Sequence, residues 1–229
     1  MGGSPATGSG TQTSTSSVPH SRRDKRLSGD QRERKILEST ERLMQERPFH
    51  EISTDAIAAG AGITRPTFYF YFASKDAVLL ALLDDLTIRV HDTQASAMKH
   101  LAANPPSAWR DTIGAFYTVL RGRRPLVLAG AAARRTNADV ELLWTRLMNR
   151  WISDTAEAIE AERGRGTAPP GLPATDLAAV LIFMNERVML ATFAGDTCAV
   201  REDRVLDILV DIWLGAIYRS TTFDVQADS

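Results

Sequence analysis

From about Asp30 to Ala216, apolar residues return every third or fourth position, and no segment alternates apolar with polar over a strand's length. That period marks helices with one buried stripe, so the expected fold is all-α, with about nine helices and no internal repeat. Ile36, Thr40, Leu43 and Arg47 share one face, with Leu37 and Met44 beside it, and Pro48 ends the segment. Ser53 or Thr54 caps a short helix with Ile57 as its core residue, and Gly60-Ala61-Gly62 makes a turn. Thr64 caps a second short helix, where Pro66 sits early enough that its missing N–H costs nothing. Ser74 then caps a longer helix with the stripe Leu79, Leu82, Leu83, Leu86 and Val90. Beyond Asn104-Pro105-Pro106 and the interruptions at Gly122 and Pro125, further stripes run through Trp109–Leu120, Val140–Ile159, Leu177–Val188 and Val205–Ala216.

With 229 residues, the chain can bury the core of one or two domains. It contains no run of about 18 apolar residues, and its first residues lack the apolar core of a signal peptide, so neither secretion nor a membrane partner is expected and the location expected is cytoplasmic. Cys198 is the only cysteine, which excludes an intramolecular disulfide; acidic neighbours disfavour it as a redox sensor. The net charge of −1 conceals an asymmetry. Residues 1–35 carry seven basic residues against three acidic ones, and residues 176–229 four against nine. A polyanion is drawn to the first end and repelled by the second. Residues 1–27 read as a disordered basic tail and 223–229 as a disordered C-terminus.

Thr54–Lys75 reads as two short helices joined by a glycine turn, a helix-turn-helix. The second helix suits the DNA major groove. Arg65 can donate to guanine or phosphate, and Thr67 can meet either a base or a phosphate. Tyr69 and Tyr71 offer hydroxyls to phosphates; Thr54 and Lys75 begin flanking helices, where anions are favoured. Thr64 and Pro66 complete the candidate DNA-binding set. The phenylalanines Phe68, Phe70 and Phe72 are expected in the core.

These residues carry a resemblance. The segment Gly62–Leu83, GITRPTFYFYFASKDAVLLALL, resembles the signature of the TetR family, a helix-turn-helix ending in Tyr-x-x-Phe followed by Ser-Lys-Asp/Glu. The likeness continues to Trp109, Trp144, Met148, Trp151, residues 159–166, 184–187, 193–195 and 204–213. It implies a DNA-binding domain at 28–73 and a ligand-binding and dimerisation domain at 74–222. It also implies a transcriptional repressor released from double-stranded operator DNA by a small apolar ligand, with an activator, or a regulator that does not read DNA, as the alternative. Helices 174–193 and 202–220 are expected to pair with their copies in a homodimer, and helix 74–97 to link ligand to reader.

The candidate ligand set is Trp109, Ile113, Phe116, Leu120, Trp144, Met148, Trp151, Thr155, Asn185 and Trp213. Aromatics seven residues apart share a helix face, and Thr155 and Asn185 supply polar handles. On periodicity alone these stripes read as ordinary bundle core; the resemblance implies a tunnel instead. Leu120 and Leu190 replace phenylalanine relative to that resemblance, Asp154 replaces tyrosine and Ile182 replaces asparagine, so the tunnel is expected to differ in shape. Glu186 and Arg187 are read as an ion pair. No cofactor, metal site or enzyme activity is expected. The four histidines lack i+4 partners and read as lone exposed residues, and no nucleophile elbow or phosphate loop occurs.

Overall fold

The computed structural model describes Met1 and residues 28–218, with the side chains of 94–97 and 99 left aside. Among these residues there are nine α-helices and no strand. They are α1 (Gly29–Glu46), α2 (Thr54–Gly60), α3 (Arg65–Tyr71), α4 (Lys75–Ala97), α5 (Pro105–Gly122), α6 (Arg124–Ala133), α7 (Ala138–Gly164), α8 (Ala174–Ala194) and α9 (Val205–Tyr218). The expected tail at 1–27 and the segment 219–229 lie outside the described residues.

Local chemistry sets the helix starts. Ser28 forms a capping box on α1: its Oγ accepts from Gln31 N–H and its own N–H donates to Gln31 Oε1. Ser53, not Thr54, caps α2, Thr64 caps α3, and Ser74 Oγ accepts from Ala77 N–H at the start of α4. The α2–α3 turn is possible because Gly62 adopts φ +69°, a region that side chains with Cβ avoid. Gly60 lets α2 lie close on α1, since a Cβ there would overlap Ser39 Oγ, which donates to Ile57 O at 3.0 Å.

α1, α2 and α3 pack around Ile36, Leu43, Ile57, Phe68 and Phe72, all buried. α4 starts against α1 and then runs on to pack against α5, α6 and α7. It is thus both the floor of the N-terminal unit and a wall of the C-terminal one. α5 packs on α9, and α8 lies across α6, α7 and α9. The sequence pattern does not mark α6, because Gly122 and Pro125 read only as an interruption. Pro125 in fact sits in the first turn of α6, where proline is tolerated.

Two expectations bear on α8. α8 is long and apolar enough, by length and composition, to cross a membrane. It instead packs within the bundle, with Asn185, Glu186 and Arg187 at mid-length. It leaves Val180 and Phe183 exposed, as α9 leaves Ile208 and Ile212. Second, Glu186 and Arg187 do not pair with each other. Adjacent helical positions point apart; Glu186 pairs with Arg134 at 2.8 Å and Arg187 with Asp196 at 3.5 Å.

Candidate functional site

The structure offers two candidate regions joined by α4. The first is α3. Phe68 and Phe72 anchor it inward, and the Thr64 cap fixes its start. Arg65 donates to Asp55 Oδ2 at 3.0 Å and to the Tyr69 hydroxyl at 3.4 Å. The Arg65 hydrogen bond, followed by one from Thr54, holds the Tyr69 phenol below its usual range. Arg65 is raised, first by that bond with Tyr69 and then by the Asp55 charge. Thr64 and Thr67 join hydroxyls at 2.8 Å. Pro66 is exposed and Tyr71 half-buried. Lys75 is already committed: its Nζ donates to the carbonyls of Phe49, His50 and Ile52 at 3.0–3.2 Å and lies 5.0 Å from the Phe49 ring centre.

Phe70 contradicts the sequence expectation. It is 82% exposed rather than in the core. On a seven-residue helix, five consecutive aromatics cannot all turn inward, and Phe68 and Phe72 take the inner face. Leaving such a ring in water forgoes the roughly 1.5–3 kcal/mol that full burial would return.

The second region is a cavity of about 360 Å³ enclosed by α4, α5, α7, α8 and α9, with one contact from α6. All ten residues of the candidate ligand set line it. Phe116 and Trp151 meet edge-to-face at 4.9 Å, and Trp109 and Trp213 lie 5.2 Å apart. Three indole N–H groups are held. Trp213 donates to Asn185 Oδ1 at 3.0 Å, Trp144 to Glu186 Oε1 at 2.7 Å and Trp109 to the Tyr218 hydroxyl at 2.8 Å. Tyr218 in turn donates to Glu162, a carboxylate with no solvent exposure that also takes an ion pair from Arg165. Burial pushes the Tyr218 phenol up. These bonds fix the aromatic walls in one arrangement.

Sequence reasoning missed part of the lining. Leu83, Leu86 and Val90 were read as a core stripe of α4, yet they face the cavity. Thr112 also lines it; its Oγ1 is buried without a hydrogen-bond partner. Nothing in a run of helical residues distinguishes such a hydroxyl from one bonded to its own turn. His91, expected as a lone exposed residue, is half-buried at the cavity, with Nε2 2.9 Å from Arg150 Nη2. Arg150 also approaches Asp154 at 3.8 Å. Among the described residues no lysine or arginine lines the cavity; its carboxylates are Asp154, Glu157 and Glu186. Among the described residues no cluster could hold a metal ion, and Cys198 is exposed.

Between the two regions stands Arg123, at the α5–α6 junction. Its Nε donates to Glu41 of α1 at 2.6 Å and its Nη1 to Asp85 of α4 at 2.8 Å. Arg89 donates to the same Asp85 oxygen at 2.9 Å. Burial raises the Asp85 carboxyl, but these two arginines outweigh it and leave it below its ordinary value.

Comparison with known proteins agrees with this division. Residues 36–82 match the bacterial regulatory proteins of the tetR family, and residues 109–219 match the C-terminal domain of the transcriptional regulator EthR. The HTH-type transcriptional regulator EthR of Mycobacterium tuberculosis is 48% identical over 210 residues, 90% of this chain and 95% of that protein. The chain belongs to the TetR family, on its EthR-like branch.

Solved structures of regulators share the fold. A regulator from Saccharomonospora viridis in complex with choline superposes with a TM-score of 0.67 at 22% identity, covering 83% of this chain and 100% of that one. The repressor FadR of Thermus thermophilus in complex with lauroyl-CoA gives 0.59 at 18% identity, covering 82% and 96%. The family match spans α1 to α3 with the first third of α4, and the EthR match spans most of the cavity wall. This TetR-family member is therefore a transcriptional regulator and not an enzyme.

Proposed function

We propose that this regulator acts in the cytoplasm as a homodimeric repressor, gripping a palindromic operator through two α3 helices and leaving it when a small apolar ligand fills the aromatic cavity. The observation that carries this reading is the path of α4. Its first turn stands under the DNA-reading unit, and its middle turns line the cavity through Leu83, Leu86 and Val90. A ligand that pushes on those residues changes the angle at which α3 is presented. The shift occurs only if the ligand binds the off-DNA state more tightly.

The chemistry of the walls supports an uncharged or weakly polar ligand. The lining is mostly aromatic and aliphatic, with Thr155, Asn185 and the unpartnered Thr112 hydroxyl among its polar contacts beside His91 and the three carboxylates. Among the described residues no lysine or arginine lines the cavity, so an anionic ligand meets no lysine or arginine cation from them. The relatives solved with choline and lauroyl-CoA support small-molecule control on this fold, though neither ligand transfers. The exposed apolar residues Phe183 of α8 and Ile212 of α9 support pairing of those two helices across a two-fold axis.

The test is a mobility shift with DNA from the chain's own upstream region at two salt concentrations. Wild-type protein should retard it, more weakly at the higher salt. A panel of neutral C8–C12 alcohols and esters should release it, and Trp151→Ala should blunt release while leaving operator affinity within about threefold. Protein that retards no duplex in dilute buffer defeats the repressor reading. Loss of operator affinity and release together in Trp151→Ala would make that residue core rather than ligand wall.

A further inference from the structure

α3 presents an unusual outer surface for a helix that reads bases. Its single cation, Arg65, is bonded to Asp55 and to Tyr69. Its threonine hydroxyl is bonded to Thr64. Apart from the hydroxyl of the half-buried Tyr71 at its end, what α3 leaves free is apolar: Phe70, 82% exposed, with the exposed Pro66 one turn before it. The Tyr71 ring meets Phe70 edge-on at 5.2 Å, which restrains it. Apolar side chains in the major groove have one specific target, the C5-methyl group of thymine.

We propose that Phe70, backed by Pro66, reads a thymine methyl in each operator half-site, so that sequence choice at that base pair comes from an apolar contact and not from Arg65. This rests on the operator-binding reading above. The contact removes both the methyl and the ring edge from water, and no hydrogen bond is needed to tell thymine from cytosine at that position. Phe70 is thereby a specificity-determining residue, while Arg65 and Asp55 set the pose of Tyr69.

The experiment uses the full chain and an operator selected by the wild-type protein from a random duplex pool. Each thymine is replaced in turn by deoxyuridine, which lacks only the methyl, and affinity is measured for wild type and Phe70→Ala at one fixed salt. Wild type should lose about fourfold at one thymine per half-site, the equivalent of ~0.8 kcal/mol for one buried carbon unit. Phe70→Ala should bind the unmodified operator at least that much more weakly and be indifferent to deoxyuridine at that position. It should keep the wild-type response at every other thymine. Its melting temperature should stay that of wild type because the ring is exposed, and Phe70→Leu should restore part of the methyl sensitivity. Equal deoxyuridine sensitivity of wild type and Phe70→Ala at every position overturns the proposal. So does an operator with no methyl-sensitive thymine, or a Phe70→Ala protein that melts much earlier. A wild type that selects no duplex removes the operator-binding reading as well, and is thereby told apart from failure of the methyl contact alone.

Discussion

Replacing Arg123 with methionine should separate ligand binding from its effect on DNA. Arg123 is 16% exposed and ties the DNA-reading unit, through Glu41 of α1, to Asp85 of α4. Methionine keeps the apolar stem and removes both charge-assisted bonds. Charged hydrogen bonds are worth roughly 1.5–3 kcal/mol each when shielded. The carboxylate partners are 34% and 42% exposed, so solvent screening reduces the pair to about 1–2 kcal/mol in total. Part of that is lost stability, read by urea unfolding. The rest is coupling, since allostery is the free energy linking two sites. Operator affinity measured with and without a releasing ligand should show the ratio shrinking by about three- to tenfold, with ligand affinity itself nearly unchanged. Arg123→Lys should recover little, because a single ammonium lacks the fork that spans two acids. An unchanged ratio in a destabilised Arg123→Met protein would show that the bridge only braces the fold and transmits nothing.

The Asp85 carboxyl lies below its ordinary value of 3.8, so its contribution is complete above that pH and disappears as pH falls through the lower folded value. Asp85→Asn should therefore lower stability by a constant amount from about pH 5 to 7 and converge with wild type in stronger acid, as followed by denaturation at each pH. Lys75→Met should cost about 1–3 kcal/mol of stability by stranding three carbonyls, while leaving the salt slope of operator binding unchanged; a slope smaller by about one would return Lys75 to a phosphate. Phe183→Asp or Ile212→Asp, both at exposed apolar positions, should yield monomers in sedimentation and lose cooperative operator binding; a dimer that survives both changes would place the interface elsewhere.

The helices were legible because their periodicity is local, and so were Ser53, Thr64 and Ser74 as candidate caps. Aromatic spacing on α5 and α7 gathered the cavity set on shared helix faces but fits a bundle core as well; only the family resemblance pointed to a cavity. Phe70 was not, because composition cannot say which of five neighbouring rings a short helix turns outward. The partners of Glu186 and Arg123 were not legible either. Glu186 meets Arg134, 52 positions away, and Arg123 meets Glu41, 82 positions away, and no local pattern encodes such pairings. The apolar stripe of α4 was read correctly as a stripe, but a stripe names a face and not what the face meets.

All four tryptophans border the one cavity, and the DNA-reading unit contains none. Ultraviolet light therefore divides the molecule without a label. Emission excited at the red edge arises from the tryptophans around the cavity, and under the proposed function a guest among those indoles should change their quantum yield. Occupancy and release can then be timed separately in a single sample, with a dye on the duplex reporting the other event.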